Sequence, residues 1–212
     1  MQIKNGMIIF FILFLINLNL LFFISFKFLV LIFLYFILSF TYSLILKKIM
    51  IIDILILAIL FTFRIVGGGF ATEIEISHSL LVFSIFLFLC LASIKRQSEL
   101  IDLKARKKLK TVMGRGYHTK DLSIVGFITI STAFISVVVA GLYISSPDTQ
   151  VLYPKPWILW INCVVLLLWL IKMKSDSSRG LIYSDPIVYA LRDNTSRLCL
   201  LIILFFFMVS IT

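Results

Sequence analysis

The richest chemical segment of this chain runs Lys95-Arg96-Gln97-Ser98-Glu99-Leu100-Ile101-Asp102 and continues through Lys104, Arg106, Lys107, Lys108 and Lys110. If the apolar stretch before it continues as a helix, Lys95, Glu99, Asp102 and Arg106 recur at i, i+4, i+7 and i+11, one above another on a single face. Two carboxylates about one turn apart suit Mg²⁺, a hard cation that takes oxygen ligands and commonly shares them with substrate phosphates. The flanking Lys95 and Arg96 would then hold the remaining phosphate oxygens. The plainer reading of the same spacing is a solvated helix laced with i,i+4 ion pairs, followed by a basic loop lying on anionic lipid.

Two other places hold polar groups that need a reason. Asp53 and Arg64 lie eleven residues apart in an apolar stretch, three helical turns, so they share a face, and Gly67-Gly68-Gly69 follows directly. Exposing Arg64 to hydrocarbon would cost about 2.5–3.5 kcal/mol or more, so it should face the bundle interior and a polar partner. Either an intramembrane polar cavity or a structural salt bridge satisfies that demand. The segment from Asp176 to Arg197 holds Asp185-Pro186 and Arg192-Asp193. Asp185 before a proline is a good helix start, and an N-cap alone would explain it. Lys47 and Lys48 read equally well as topology determinants or as phosphate contacts.

The elements that must position these groups are membrane spans. The chain has 212 residues, of which 61% are hydrophobic and only 14% charged. A soluble domain of this length could not hide so much apolar surface. Continuous apolar runs predict helices near 7–25, 28–46, 51–70, 78–94, 122–144, 157–172 and 194–211, an all-α polytopic bundle of seven spans. Barrel strands are excluded, because they would alternate and be about half as long.

Charges sort between the loops. Lys4, Lys47, Lys48, the 95–121 loop and the 172–193 segment fall on one side, and Lys27, Glu73, Glu75, Asp148 and Lys155 on the other. The positive-inside rule places the first set, and the N-terminus, in the cytoplasm of what reads as a bacterial inner-membrane protein. The net charge of +10 then belongs to anionic headgroups, and a nucleic-acid partner is not expected. Cys90, Cys163 and Cys199 sit singly in apolar spans, without metal-ligand or disulfide spacing. The first apolar run is too long for a signal-peptide core and lacks a small-x-small cleavage site.

Taken together these segments resemble the UbiA-type membrane prenyltransferase superfamily. The marks are Tyr42-Ser43-Leu44-Ile45-Leu46-Lys47-Lys48, Asp53 with Phe63-Arg64-Ile65-Val66-Gly67-Gly68-Gly69, the Lys95–Leu100 helix end, and Asp185-Pro186 with Ala190-Leu191-Arg192-Asp193. The last two resemble most the branch of polyprenyl-phosphate phosphoribosyltransferases. The resemblance implies nine helices around a cavity open sideways to lipid, with a polyprenyl chain among them and a phosphorylated group and Mg²⁺ at the cytoplasmic mouth. Two acidic motifs normally face each other there. The first, of the form Asn-Asp-x-x-Asp-x-x-x-Asp, is absent from this sequence, so residues 1–212 read as one domain, N-terminally incomplete, equivalent to the last seven helices. Glu99 and Asp102 would correspond to the second motif.

The resulting expectation is a transferase acting on a polyprenyl or polyprenyl-phosphate substrate and a diphosphate-bearing partner. Glu99 and Asp102 would bind metal. Lys47, Lys48, Arg64, Lys95, Arg96, Asp185, Arg192 and Asp193 would bind substrate, with membrane lipid around them and a missing N-terminal portion supplied on another chain. Two alternatives stand beside it: a catalytically inactive membrane remnant or scaffold, and a transporter with Asp53 and Arg64 on its pathway.

Overall fold

The structure, a computed structural model, describes residues 25–106, 115–183 and 185–211, together with Met7 and Phe11. Lys4, most of the span expected at 7–25, and Lys107, Lys108 and Lys110 lie outside the described residues, as do the side chains of Arg106 and Asp148.

Each long apolar run folds as a helix, because in lipid every backbone donor and acceptor must be satisfied within its own segment. In chain order these are α1 (Phe26–Leu44), α2 (Ile52–Thr72), α3 (His78–Arg106), α4 (Leu122–Ile144), the short α5 (Pro147–Leu152), α6 (Leu159–Ser178), the short α7 (Pro186–Arg192) and α8 (Asn194–Ile211). There is no strand among the described residues. Six helices, α1, α2, α3, α4, α6 and α8, are long and apolar enough to cross a membrane. The chain is an all-α, multi-pass integral membrane protein.

Helix α3 is the central post. It packs against α4 most extensively, then α2 and α6, and also touches α7, while α1 leans on α2 and α8 on α6. Small residues set the α3–α4 distance: the buried positions of α4 include Thr129, Thr132, Ala133, Ser136 and Gly141. The three hydroxyls cost nothing there, since each donates to a carbonyl of its own helix. One core cluster joins Cys90 and Ile94 of α3 to Ala133 of α4 and to Leu170 and Met173 of α6.

Two local features place the functional groups. Helix α3 has 29 residues, about 43 Å at 1.5 Å each, which exceeds a hydrocarbon core of about 30 Å. Its charged C-terminal turns therefore rise out of the apolar layer. Helix α6 ends in a Schellman turn: Gly180, at φ 71, donates to the Ser177 carbonyl, and Leu181 donates to that of Asp176. That reversal sends the chain back across the same end of the bundle, where Ile182 packs into the core cluster and Asp185 starts α7.

Candidate functional site

The charged end of the bundle gathers the last turns of α1, α3 and α6, the first turns of α2, α4 and α8, and all of α7. At its centre is a network drawn from three helices. Tyr42 Oη donates to Asp53 Oδ1 at 2.8 Å. Arg96 donates to the same carboxylate through Nε, and through Nη2 at 3.3 Å. The Arg96 Nη1 group reaches both oxygens of Glu99 at 2.7 Å, and Arg115 Nη1 donates to Glu99 Oε2 at 2.6 Å. Charges therefore alternate along the chain Asp53, Arg96, Glu99, Arg115. Its inner half is sealed, with Asp53 and Arg96 at 0% and 1% exposure, while Glu99 at 31% and Arg115 at 24% open toward solvent.

The segment around Tyr117 closes this network from outside. Tyr117 is fully buried, and burial followed by the nearby Asp53 carboxylate pushes its hydroxyl above the ordinary range. Its oxygen accepts a hydrogen bond from the Ile51 N–H at 3.3 Å. Ile51 sits at φ 70, a left-handed conformation that a β-branched residue resists, of order 1–3 kcal/mol. The segment lies so close that a Cβ at Gly116 would overlap the Lys48 carbonyl. Strained backbone at the start of α2 is thus held beside the buried charges by the loop from the far end of α3.

Beside this network, Lys95 Nζ meets Asp185 Oδ2 at 2.6 Å. Asp185 also caps α7, accepting from the Ile187 N–H at 3.1 Å, as its place before Pro186 predicts. Burial raises its carboxyl, but the Lys95 and Ile187 hydrogen bonds outweigh that and hold it below the usual carboxylate range. Under the Lys95–Asp185 pair lies a cavity of about 90 Å³ with apolar walls from Leu57, Phe61, Phe88 and Leu91. On the far side of α7, Lys172 bridges Asp176 at 2.6 Å and Asp193 at 2.7 Å, and the Tyr189 hydroxyl donates to Asp176 at 3.0 Å. Asp193 also accepts from the Ser196 N–H at 2.7 Å, which starts α8.

Of the residues singled out from sequence, Glu99, Lys95, Arg96 and Asp185 come together at this end, each with a defined partner. Asp193 is engaged by Lys172. Asp102 is half-buried and has a partner of its own. Lys47 is half-buried, and Lys48 and Arg192 are exposed at the same end. The helix continues through Arg106, so Lys95 and Glu99 share a face as their spacing predicts, and each also meets an opposite charge on another segment, Asp185 and Arg115. Arg64 is a correction. It is exposed rather than turned to the interior and lies about 16 Å of helical rise from Asp53, but it has the polar partner expected of it, donating to the Tyr35 hydroxyl at 3.0 Å. Asp53 is instead taken by Arg96.

Sequence reasoning missed Arg115 and Tyr117 altogether. They follow a run of lysines, and nothing in their local pattern marks them; only Gly116 between them hints at a close approach. Tyr42 was visible as part of a motif, but its role as donor to Asp53 was not.

Mg²⁺ was expected on Glu99 and Asp102. Both Glu99 oxygens already accept from guanidinium groups, and no group of three or more His, Cys, Asp or Glu that could hold a metal occurs among the described residues. The described side chains, as arranged, do not fit a protein-built Mg²⁺ site.

Residues 1–113, which contain Tyr42, Asp53, Arg96 and Glu99, match the UbiA prenyltransferase family. The chain belongs to that family. It is also 34% identical to nodulation protein NoeC of Azorhizobium caulinodans over 151 residues, 71% of this chain and 49% of NoeC. An uncharacterized protein, y4nM, of Sinorhizobium fredii is 32% identical over 160 residues, 75% of this chain and 31% of that protein. The chain thus spans half or less of the length of the curated relatives it matches. The family match and the buried network coincide: every helix-borne member of the network lies inside the matched region.

Proposed function

We propose that the chain is a membrane transferase of the UbiA type, with its charged end at the cytoplasmic face, that brings together a polyprenyl or polyprenyl-phosphate substrate and a diphosphate-bearing partner. The observation that carries this reading is the convergence of family-matched Tyr42, Asp53, Arg96 and Glu99 from three helices onto one end of an apolar bundle. Arg96 cannot be a free phosphate ligand, since it is buried and fully engaged; its task is to hold Glu99 and Asp53 in place. The groups with access to a phosphate are Lys47, Lys48, Lys95, Arg115 and Arg192, and developing negative charge on a departing diphosphate would be met by these fixed cations. The apolar cavity under Lys95 and Asp185 would receive the first isoprene units. The Mg²⁺ that the resemblance implies has no described ligand set, so no step is assigned to it.

The test is a transfer assay on the protein in liposomes. Polyprenyl phosphate is offered with radiolabelled phosphoribosyl diphosphate, and polyprenyl diphosphate with aromatic acceptors. Each is run with and without Mg²⁺, and with and without a companion chain carrying the Asn-Asp-x-x-Asp-x-x-x-Asp motif. Label entering the lipid phase, and lost in Lys95→Ala, supports the reading. No transfer in any arm would favour a catalytically silent membrane protein, the reading supported by the pairing of Glu99 with two arginines. A transport pathway through both Asp53 and Arg64 gains no support, because the two residues do not meet.

A further inference from the structure

The charged end does not account for Arg64. It lies twelve residues into α2 and eight before its end at Thr72, about 12 Å from the end of the bundle opposite the charged network. A guanidinium does not lose its proton in proteins, so this depth carries a permanent positive charge. What surrounds it is polarisable but uncharged: the Tyr35 hydroxyl at 3.0 Å, the Phe61 ring at 4.7 Å and the Tyr35 ring at 5.9 Å. None of the ion pairs among the described residues includes it. Residues 1–24 and 107–114 contain no Asp or Glu, and Asp148 is the one acidic residue whose side chain lies outside the described set.

The charge opens onto space. Arg64, Gly67 and Gly68 of α2, with Phe28, Leu31 and Tyr35 of α1, line a cavity of about 420 Å³ whose walls are otherwise apolar. Helix α1 buries none of its residues, so the cavity lies at the margin of the described bundle. The glycines make the room. A Cβ at Gly67 would press on the Phe28 ring, whereas one at Gly68 would meet nothing within 4 Å.

We propose that this cavity binds an anionic amphiphile, an oxyanion head on Arg64 and Tyr35 with its apolar tail along α1, drawn from the leaflet opposite the charged end. Arg64 supplies the charge, and its fork of donors suits a phosphate or carboxylate. Tyr35 orients the guanidinium, and the wall formed by Phe28 and Leu31 accepts a chain but not a second charged group. The site shares no residue with the charged network; Phe61, whose ring lies under the Arg64 guanidinium, is also a wall of the cavity under Lys95.

The shared chemistry, a lipid-borne phosphate, has two sources, a bilayer phospholipid or an isoprenoid phosphate, and the experiment separates them. The protein is reconstituted in phosphatidylcholine nanodiscs doped with phosphatidylglycerol in one arm and polyprenyl phosphate in the other, and retained lipid is measured by native mass spectrometry. A tail-diazirine analogue of each anion locates it by cross-linking. The expected result is one anion retained over phosphatidylcholine, cross-linked to α1 or α2, with roughly tenfold lower selectivity in Arg64→Gln and near-normal selectivity in Arg64→Lys. Gly68→Leu keeps the charge and fills the cavity, and should remove the cross-link while leaving the fold intact. Whichever anion is retained names the source. Selectivity unchanged by both Arg64→Gln and Gly68→Leu, or no preference for either anion over phosphatidylcholine, overturns the proposal.

Discussion

Replacing Arg96 by Met tests whether the buried network holds this end of the bundle together. The guanidinium is 1% exposed and engages Asp53, which is 0% exposed. Met fills much of the aliphatic volume but leaves the Asp53 carboxylate without a guanidinium, beside the Tyr42 and Tyr117 hydroxyls. Removing one partner of a buried ion pair costs about 3–5 kcal/mol, because the remaining charge is uncompensated. For a chain of this length that corresponds to a fall in midpoint of roughly 6–20 °C. The assay is thermal unfolding followed with a thiol-reactive dye that reports exposure of Cys90 and Cys163, both buried, in a Cys199→Ser background. Asp53→Asn removes the charge that Met strands, so the double variant should be less destabilised than the sum of its singles by about 1–3 kcal/mol. If Arg96→Met shifts the midpoint no more than a substitution on the exposed face of α1, or if the two singles simply add, the network is not the keystone argued for here.

Tyr117→Phe removes the only described acceptor for the Ile51 N–H and should cost about 1–3 kcal/mol in the same assay; Ile51→Gly, which relieves the left-handed strain, should recover part of it in the double variant. Asp185 is held below the usual carboxylate range by Lys95 and by its cap bond, so its contribution is present above about pH 4 and is lost as pH falls through the lowered value. It is surface-exposed enough that the effect should be a few tenths of a kcal/mol, seen as a flatter acid limb of the stability profile in Asp185→Asn. Reporter fusions at Lys48 and near Ser178 should read cytoplasmic, and fusions at Glu75 and Ser146 external; a cytoplasmic signal at Glu75 would refute the orientation.

The bundle was legible in the sequence because its signal is long and one-sided. Runs of some twenty apolar residues leave no choice but helices, and the span expected at 122–144 matches α4 at both ends. Helix α3 outruns the 78–94 stretch because its charged turns stay helical after leaving the apolar layer. The cap at Asp185 was legible too, since Asp before Pro carries its own geometry. The partners were another matter.

Periodicity within one helix reports which side chains share a face, and it put Asp53 with Arg64 and Lys95 with Glu99. It is blind to what lies across the interface, and among the described residues these pairs cross: Asp53 to Arg96 between α2 and α3, Lys95 to Asp185 between α3 and α7, and Glu99 to Arg115 between α3 and the loop, while Arg96–Glu99 and Lys172–Asp176 stay within one helix. The physical reason is dielectric. An i,i+4 pair on a solvated face is worth a few tenths of a kcal/mol, while a charge sealed at a helix interface must find its opposite there or be lost to desolvation. Asp53 therefore goes to the arginine that shares its seal, and Arg64, on the same helix face by spacing but exposed at its own depth, is left as the one described cation deep in a span with an open cavity beside it and no acid paired to it among the described residues.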